Sequence, residues 1–499
     1  MPHLLGLDLG TSSLKAVVLN TQGKVAGLGH AEYPIDTPEP GAAEQNPEGW
    51  WQAAVEATRQ ALAQAGGADV AAVGFSGQMH GAVLLDGSGR PVRPAIIWAD
   101  QRSASVLDGI HQRIGEAELG RTCGTAPAAG FQIATLAWLQ EHEPESLRRA
   151  QTVVLPKDYV RSRLTGTIET DETDASATGL FDVARRRWPP SILERLKLDP
   201  ALLPAVRTSA TVCGELRPEA AAALGLRPGI PVVTGCADQP AQALGNGLLD
   251  PPLGSVTLGT GGQVFMPLTE PVVDPRLRLH TFCHAPPDRW YLLGAMLSAG
   301  MALRWFKQRT GNLDYATLDR LADAVAPGSE GLRFLPYLVG ERSPLMDAKA
   351  KGGFIGLTLR HNLGHLTRAV LEGIAFSVRH IVEVMEEAGA RPERFIASGN
   401  GLGSRVWRQM LADVLNRPLY RSQDPFAAER AGVGAGLLAG IGARIFEGMD
   451  SIKALAPTFN EETTPDPDRV ALYDRAYHDF RELYPRLRPY FHQQGETAG

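Results

Sequence analysis

Short apolar runs alternate with polar turns through the first part of the chain. Residues 4–10 (LLGLDLG), 14–20 (LKAVVLN) and 24–33 (KVAGLGHAEY) read as three strands, with the turn residues Thr21, Gln22 and Gly23 between the second and third. The period then changes to that of an amphipathic helix over residues 47–67 (PEGWWQAAVEATRQALAQAGG), closed by a glycine pair. Strand character resumes at residue 70 with VAAVGFSGQMHGAVLLD. Three strands, a helix and a strand predict a mixed sheet with helices packed on it, an α/β domain.

The second half repeats this order. Residues 254–268 (GSVTLGTGGQVFMPL) predict a glycine-turned hairpin, 289–296 (RWYLLGAM) a further strand, and 298–311 (SAGMALRWFKQRTG) the start of helical structure. Residues 368–389 predict a long helix with Gly389 as its stop, and 393–401 (ERFIASGNG) a strand running into a glycine loop. In residues 404–416, Val406, Trp407, Met410, Leu411, Val414 and Leu415 fall on one helical face. The two halves thus read as variants of one plan joined near residues 231–247, with 461–469 (EETTPDPDR) as a linker and 492–499 as a frayed end.

Composition narrows the classes. A chain of 499 residues is too long for one ordinary core, and two domains of roughly 200–250 residues are the default. Lys and Arg number 49 against 55 Asp and Glu, a net charge of −6 without a long basic run, which argues against nucleic acid as a partner. Cys123, Cys213, Cys236 and Cys283 show no metal or disulfide spacing. Neither a signal-peptide pattern nor a long apolar span is present, so a cytoplasmic protein with no membrane partner is expected.

One phrase occurs twice, Leu-Gly-Thr followed by two small residues, at Leu9–Ser13 and at Leu258–Gly262. A tight bend of this kind between strands exposes several backbone N–H groups and can hold a phosphate. Thr11, Ser12 and Ser13 add hydroxyls in the first copy, and Thr260, Gly261 and Gly262 leave open backbone in the second. Asp8, ahead of the first copy, is a candidate Mg²⁺ ligand, since hard magnesium prefers oxygen; a strand-end Asp accepting backbone hydrogen bonds is the alternative. Lys15 reads as a solvated strand residue. The loop Gly399-Asn400-Gly401-Leu402-Gly403, between a strand and a helix, could receive a ligand on its N–H groups, but no GxxxxGK[ST] motif occurs. Asp238, just after a strand in a small-residue loop, is placed either as a general base in an interdomain cleft or as a cap of the next helix. SGQMHG at 76–81 and WADQR at 98–102 could together bond a polyhydroxylated ligand against an indole.

LDLGTSSLK, SGQMHG, PAIIWADQR, GCADQPAQALGNG, SVTLGTGGQVF and the GERSP phrase at 340–344 follow one another along most of the chain. In these segments the chain resembles the FGGY carbohydrate kinases of the actin, hexokinase and heat-shock chaperone superfamily, and SGQMHG resembles the branch acting on xylulose. The resemblance implies two ribonuclease H-like domains with a catalytic cleft between them: residues 1–245 mainly sugar-binding, 246–485 mainly ATP-binding, and 486–499 a tail. It implies ATP and Mg²⁺ as cofactors, D-xylulose phosphorylated at its terminal hydroxyl, and a homodimer. By motif position Asp238 would be the base and Asp8 the acidic residue near Mg²⁺. Met79, His80 and Gln239 would contact the sugar, with Trp98, Asp100 and Arg102 near or behind it, and Thr260, Gly261, Gly300, Gly399, Asn400 and Gly401 would contact the nucleotide. Two departures from the family's usual phrases stand out, Gly235-Cys236-Ala237-Asp238-Gln239 around the base and Gly399-Asn400-Gly401-Leu402-Gly403-Ser404 in the adenosine loop. They leave open a kinase for another ketose, a polyol or a sugar acid, and a sugar-binding sensor that lost catalysis.

Overall fold

A computed structural model describes residues 2–494. Its first sheet has seven strands: β1 (His3–Leu9), β2 (Ser13–Asn20), β3 (Val25–Glu32), β4 (Val70–Gly77), β5 (Val212–Glu215), β6 (Pro231–Val233) and the short β7 (Cys236–Ala237). The order across it is β3-β2-β1-β4-β6-β5, with β7 also pairing to β4. β1, β2 and β3 are antiparallel neighbours, whereas β4 runs parallel to β1. The second sheet has β8 (Leu253–Leu258), β9 (Gly262–Leu268), β10 (His280–Cys283), β11 (Trp290–Met296), β12 (Arg394–Ser398), β13 (Leu419–Arg421) and β14 (Glu461–Thr463), in the order β10-β11-β9-β8-β12-β13-β14. Setting aside β10, this is the order and direction of the first sheet again, so β8 stands where β1 does and β12 where β4 does. The repeat suggested by the sequence is therefore a repeat of topology.

Helix α1 (Pro47–Gln64) starts on the Asn46 side chain, which accepts from the Glu48 N–H, and lays its Ala and Trp50 face on β2 and β3. α2 (Pro156–Thr165) and α3 (Asp238–Gly245) complete the first half around the loop that leads to Asp238. On the second sheet lie the long α4 (Leu363–Glu387) and α5 (Arg405–Leu415), with α7 (Pro467–Gln494) packed on both helices. α6 (Arg430–Gly442) behaves differently. Although it comes late in the chain, it packs on β1, β4 and α3 of the first half. Gly6 shows why its sequence, RAGVGAGLLAGIG, is so rich in small residues: a Cβ there would lie 1.9 Å from the Gly432 carbonyl oxygen.

Three expectations need correction. The linker at 461–469 contains β14, which pairs with β13, and then the first turn of α7. The tail placed at 486–499 is helical through Gln494, and His492 Nε2 lies 2.6 Å from Asp347 Oδ2; its remainder lies outside the described residues. Lys15 is not merely solvated, because its Nζ is 3.0 Å from Glu429 Oε2 at the foot of α6. All four cysteines are free and buried. Among the described residues no helix is long and apolar enough to cross a membrane.

Candidate active site

The two aspartates singled out by sequence flank the same end of β4, since Asp8 of β1 pairs with Ser76 and Asp238 follows Ala237 of β7, which pairs with Gly77. Asp8 sits in β1 directly opposite Ser76 of β4, whose hydroxyl donates to Asp8 Oδ1 at 2.9 Å. The same register position in the second sheet pairs Thr257 with Ser398, their hydroxyls 2.6 Å apart. One topological position thus carries an acid in one half and an alcohol in the other. Burial raises the Asp8 pKa above the ordinary carboxylate range, against the opposing pull of Ser76 and Lys15. Asp238 opens α3, yet the helix has no side-chain cap and Asp238 Oδ1 has no hydrogen-bond partner among the described residues. The carboxyl nonetheless takes the Gln239 N–H in the first turn, so it bonds the helix start while one oxygen stays free. Burial, reinforced by the negative charge of Asp8, pushes Asp238 up to about 7, while the backbone and side chain of Gln239 favour its charged form. A carboxyl near neutrality with a free oxygen is suited to taking a proton at physiological pH.

The residues expected around a sugar divide into two groups. His80 adopts a left-handed φ of 73°, its Nδ1 donates to the Ala177 carbonyl at 2.6 Å, and its ring stacks on Phe131 at 3.9 Å. Burial lowers its pKa to about 3, so it is neutral. Trp98 remains 37% exposed and donates from Nε1 to Thr11 Oγ1 at 2.9 Å, so an indole face and the first bend are joined. Gln239 bonds the Asp238 carboxyl. Met79 instead belongs to the apolar core and is only 5% exposed. Asp100 and Arg102, expected near or behind the sugar, bond to each other and to their neighbours. Arg102 bonds Asp100, Glu39 and Glu44 and stacks over Trp138 at 4.7 Å, while Asp100 also accepts the Ala43 N–H at 2.9 Å. Their polar groups are spent on each other, which fixes the loop carrying Trp98 rather than offering bonds to a ligand.

On the other side lie the bends. In the first, Gly10 N–H donates to Ser13 O at 2.9 Å and Tyr33 N–H to Ser12 O at 3.1 Å, and Gln45 Nε2 holds Thr11 O at 2.7 Å. In the second, Gly259 N–H donates to Gly261 O at 2.9 Å. The N–H groups of Thr11, Ser12, Thr260 and Gly261 take no backbone acceptor among the described residues, which fits a phosphate cradle. Gly300 locks the second bend to the helix it starts: its N–H meets Gly259 O at 2.9 Å, and a Cβ there would fall 2.4 Å from that oxygen. Gly399 has a φ of 84° and a Cβ would meet Leu258 O at 2.4 Å, so the third loop lies directly against the second bend. Asn400 and Gly401 begin the short turn after it. This loop borders a cavity of about 530 Å³ that also reaches Gln242 of α3, Asn246 just past its end, and Arg421, Asp424 and Phe459.

Arg421 and Phe459 stand in no phrase that sequence reasoning singled out, whereas Gln242 and Asn246 lie inside the 235–247 phrase, where only Asp238 and Gln239 carried a recognisable role. Arg342 was missed as well, although GERSP was visible; its charge faces His80 and His280 and helps keep both neutral. Glu341 next to it accepts the Leu297 N–H at 2.7 Å and so holds the segment just before Gly300.

The chain matches the N-terminal domain of the FGGY family of carbohydrate kinases over residues 3–245 and the C-terminal domain of that family over residues 254–443. It is 37% identical over 486 residues to the xylulose kinase of Escherichia coli, covering 97% of this chain and 99% of that one. It is also 37% identical over 500 residues to the xylulose kinase of Lactococcus lactis, covering 99% and 98% respectively. The crystal structure of xylulose kinase from Rhodospirillum rubrum superimposes with a TM-score of 0.91 at 33% identity, covering 98% of this chain and 100% of that one. With both family domains in order on two repeated sheets, the chain belongs to the FGGY family of carbohydrate kinases.

Proposed function

We propose that this carbohydrate kinase transfers the γ-phosphoryl group of ATP to the terminal hydroxyl of D-xylulose, giving D-xylulose 5-phosphate, with Asp238 as general base. The observation that carries the reading is the Asp238 carboxyl, with one free oxygen and a pKa of about 7 beside Asp8. Asp238 takes the hydroxyl proton as the sugar oxygen bonds to phosphorus and the bond to ADP breaks. Base assistance of this kind contributes roughly 10²- to 10⁴-fold, and positioning supplies much of the remainder. The xylulose kinases among the relatives support the choice of ketose.

The bends at Thr11–Ser12 and Thr260–Gly261 would hold phosphate oxygens, and the cavity beside Gly399 and Asn400 would take the nucleoside. Asp8 fits Mg²⁺: its carboxylate, oriented by Ser76, is a hard oxygen donor, and no cage of three acidic, His or Cys ligands accompanies it among the described residues. Magnesium suits such a site because it keeps several waters and shares substrate phosphates, where it would neutralise charge on the transferred group. His80 and the exposed Trp98 would face the sugar, His80 as a neutral ring that bonds hydroxyls without drawing an anion.

Asp238→Ala tests the assignment of the base. Turnover with D-xylulose is expected to fall by roughly 10²- to 10⁴-fold in a protein that keeps its circular dichroism spectrum. Turnover near that of the native enzyme removes Asp238 from the mechanism.

A further inference from the structure

A buried ion cluster stands behind the loop that carries Asp238. Lys157, on the first turn of α2, has no exposed side-chain surface, and its Nζ lies 2.7 Å from Asp158 Oδ1, 2.9 Å from Asp171 Oδ1 and 3.0 Å from Asp174 Oδ2. Arg161, one turn further and equally buried, is 3.0 Å from Asp158 Oδ1 and donates to the Thr234 carbonyl at 2.9 Å. Two cations therefore face three carboxyls. Burial drives Asp174 well above the ordinary carboxylate range, with Lys157 pulling against it. Buried charges of this sort add little net stability over an apolar core of the same volume. What they supply here is direction.

The second oxygen of Asp171 accepts three bonds, from the Thr173 N–H at 2.9 Å, the Thr173 hydroxyl at 2.6 Å and the Ser209 hydroxyl at 2.9 Å. With its proton committed to Asp171, the Thr173 oxygen accepts the Ala237 N–H at 2.8 Å. Ser209 contributes its carbonyl to the Gly235 N–H at 3.0 Å. Of the four residues ahead of Asp238, Thr234, Gly235 and Ala237 are thus bonded to the cluster or to a residue that it orients. We propose that the Lys157–Asp171–Thr173 relay is a positioning device for the general base, in which the Thr173 hydroxyl fixes the Ala237 peptide and thereby the direction of the next residue's carboxyl.

This inference rests on the reading of Asp238 as the base. Titratable groups facing that carboxyl are Asp8 from β1, Tyr291 from β11 and Cys236 from its own loop, with Asp171, Asp174 and Lys157 beyond Cys236. None of these is removed by substituting Thr173, so a change in the titration of Asp238 reports the placement of the loop.

Thr173→Val keeps the shape and loses both hydroxyl bonds. Its kcat with D-xylulose is expected to fall roughly ten- to a hundredfold, as a displaced reacting group costs, with the KM for ATP held within about twofold. The acid limb of kcat/KM should move to lower pH, since a loosened loop lets water reach the carboxyl. Thr173→Ser should restore kcat and the limb together. If the valine variant does not fold, Thr173→Ala, which adds no steric load, carries the same expectation. A lowered Tm with kcat and pH limb unchanged would mean that the cluster only holds the fold, which overturns the relay. Asp238→Asn in parallel separates the two readings. Retained turnover there overturns the base and the relay with it, whereas lost turnover beside a native-like Thr173→Val overturns the relay alone.

Discussion

At the scale of the residue, the free energy of the site is concentrated in one carboxyl that the fold keeps from ionising easily. Asp238 titrates near 7 in the folded chain and near 4 when unfolded. Below pH 4 both states hold the proton and the residue is neutral toward stability; between 4 and 7 the unfolded state loses its proton first, so the folded state is increasingly disfavoured, and above 7 the penalty is complete. Asp238→Asn is therefore expected to raise Tm at pH 8 and to leave it nearly unchanged at pH 4, read by calorimetry at both. A Tm gain that is equal at the two values would show that the carboxyl does not carry this penalty. The chemistry was legible here because a carboxylate in an apolar strand, or alone in a small-residue loop, has a cost that needs a reason. Asp100 and Arg102 show the limit of such reasoning. A carboxylate and a guanidinium two positions apart satisfy each other as readily as they bind a ligand, and only the positions of Glu44, Glu39 and Ala43 distinguish the cases.

At the scale of the element, the site depends on backbones that approach within a side chain's thickness. Gly300→Ala places a Cβ 2.4 Å from the Gly259 carbonyl oxygen and must push the Thr260 bend away from the helix start. The expected result is a KM for ATP raised by roughly tenfold or more, since uniform binding is what the bend supplies, with the KM for sugar little changed, measured by steady-state kinetics with each substrate varied. An unchanged KM for ATP would take the bend out of nucleotide binding. The paired Leu-Gly-Thr phrases announced both hairpins, because tight turns need particular residues at particular places. α6 was not announced. Its run of small and apolar residues has no polar face to set against a core, and its partners, β1 and α3, lie almost two hundred residues or more away in sequence.

At the scale of the whole molecule, two copies of one sheet topology face each other with different chemistry at matching positions: Asp8 with Ser76 in one, Thr257 with Ser398 in the other. The acid half carries Asp238 and the ion cluster behind its loop, the alcohol half carries the second bend, and the cavity is lined from both. Elements cross between the halves, with α6 on the first sheet and Lys15 paired to Glu429, so a displacement of one half is felt at Asp8. The repeat of the two halves was legible in sequence order, while the crossing helix and the facing of Arg342 toward His80 required the fold, since no local pattern encodes which distant segments meet.

The most direct measurement is coupled release of ADP from Mg²⁺-ATP with D-xylulose, set beside D-ribulose, L-ribulose, L-xylulose, glycerol, xylitol and gluconate. D-Xylulose is expected to lead in kcat/KM by roughly tenfold or more, because a site built to bond particular hydroxyls leaves polar groups unpaired with the others. A higher kcat/KM for any of the other compounds, or no ADP release with D-xylulose, contradicts the account.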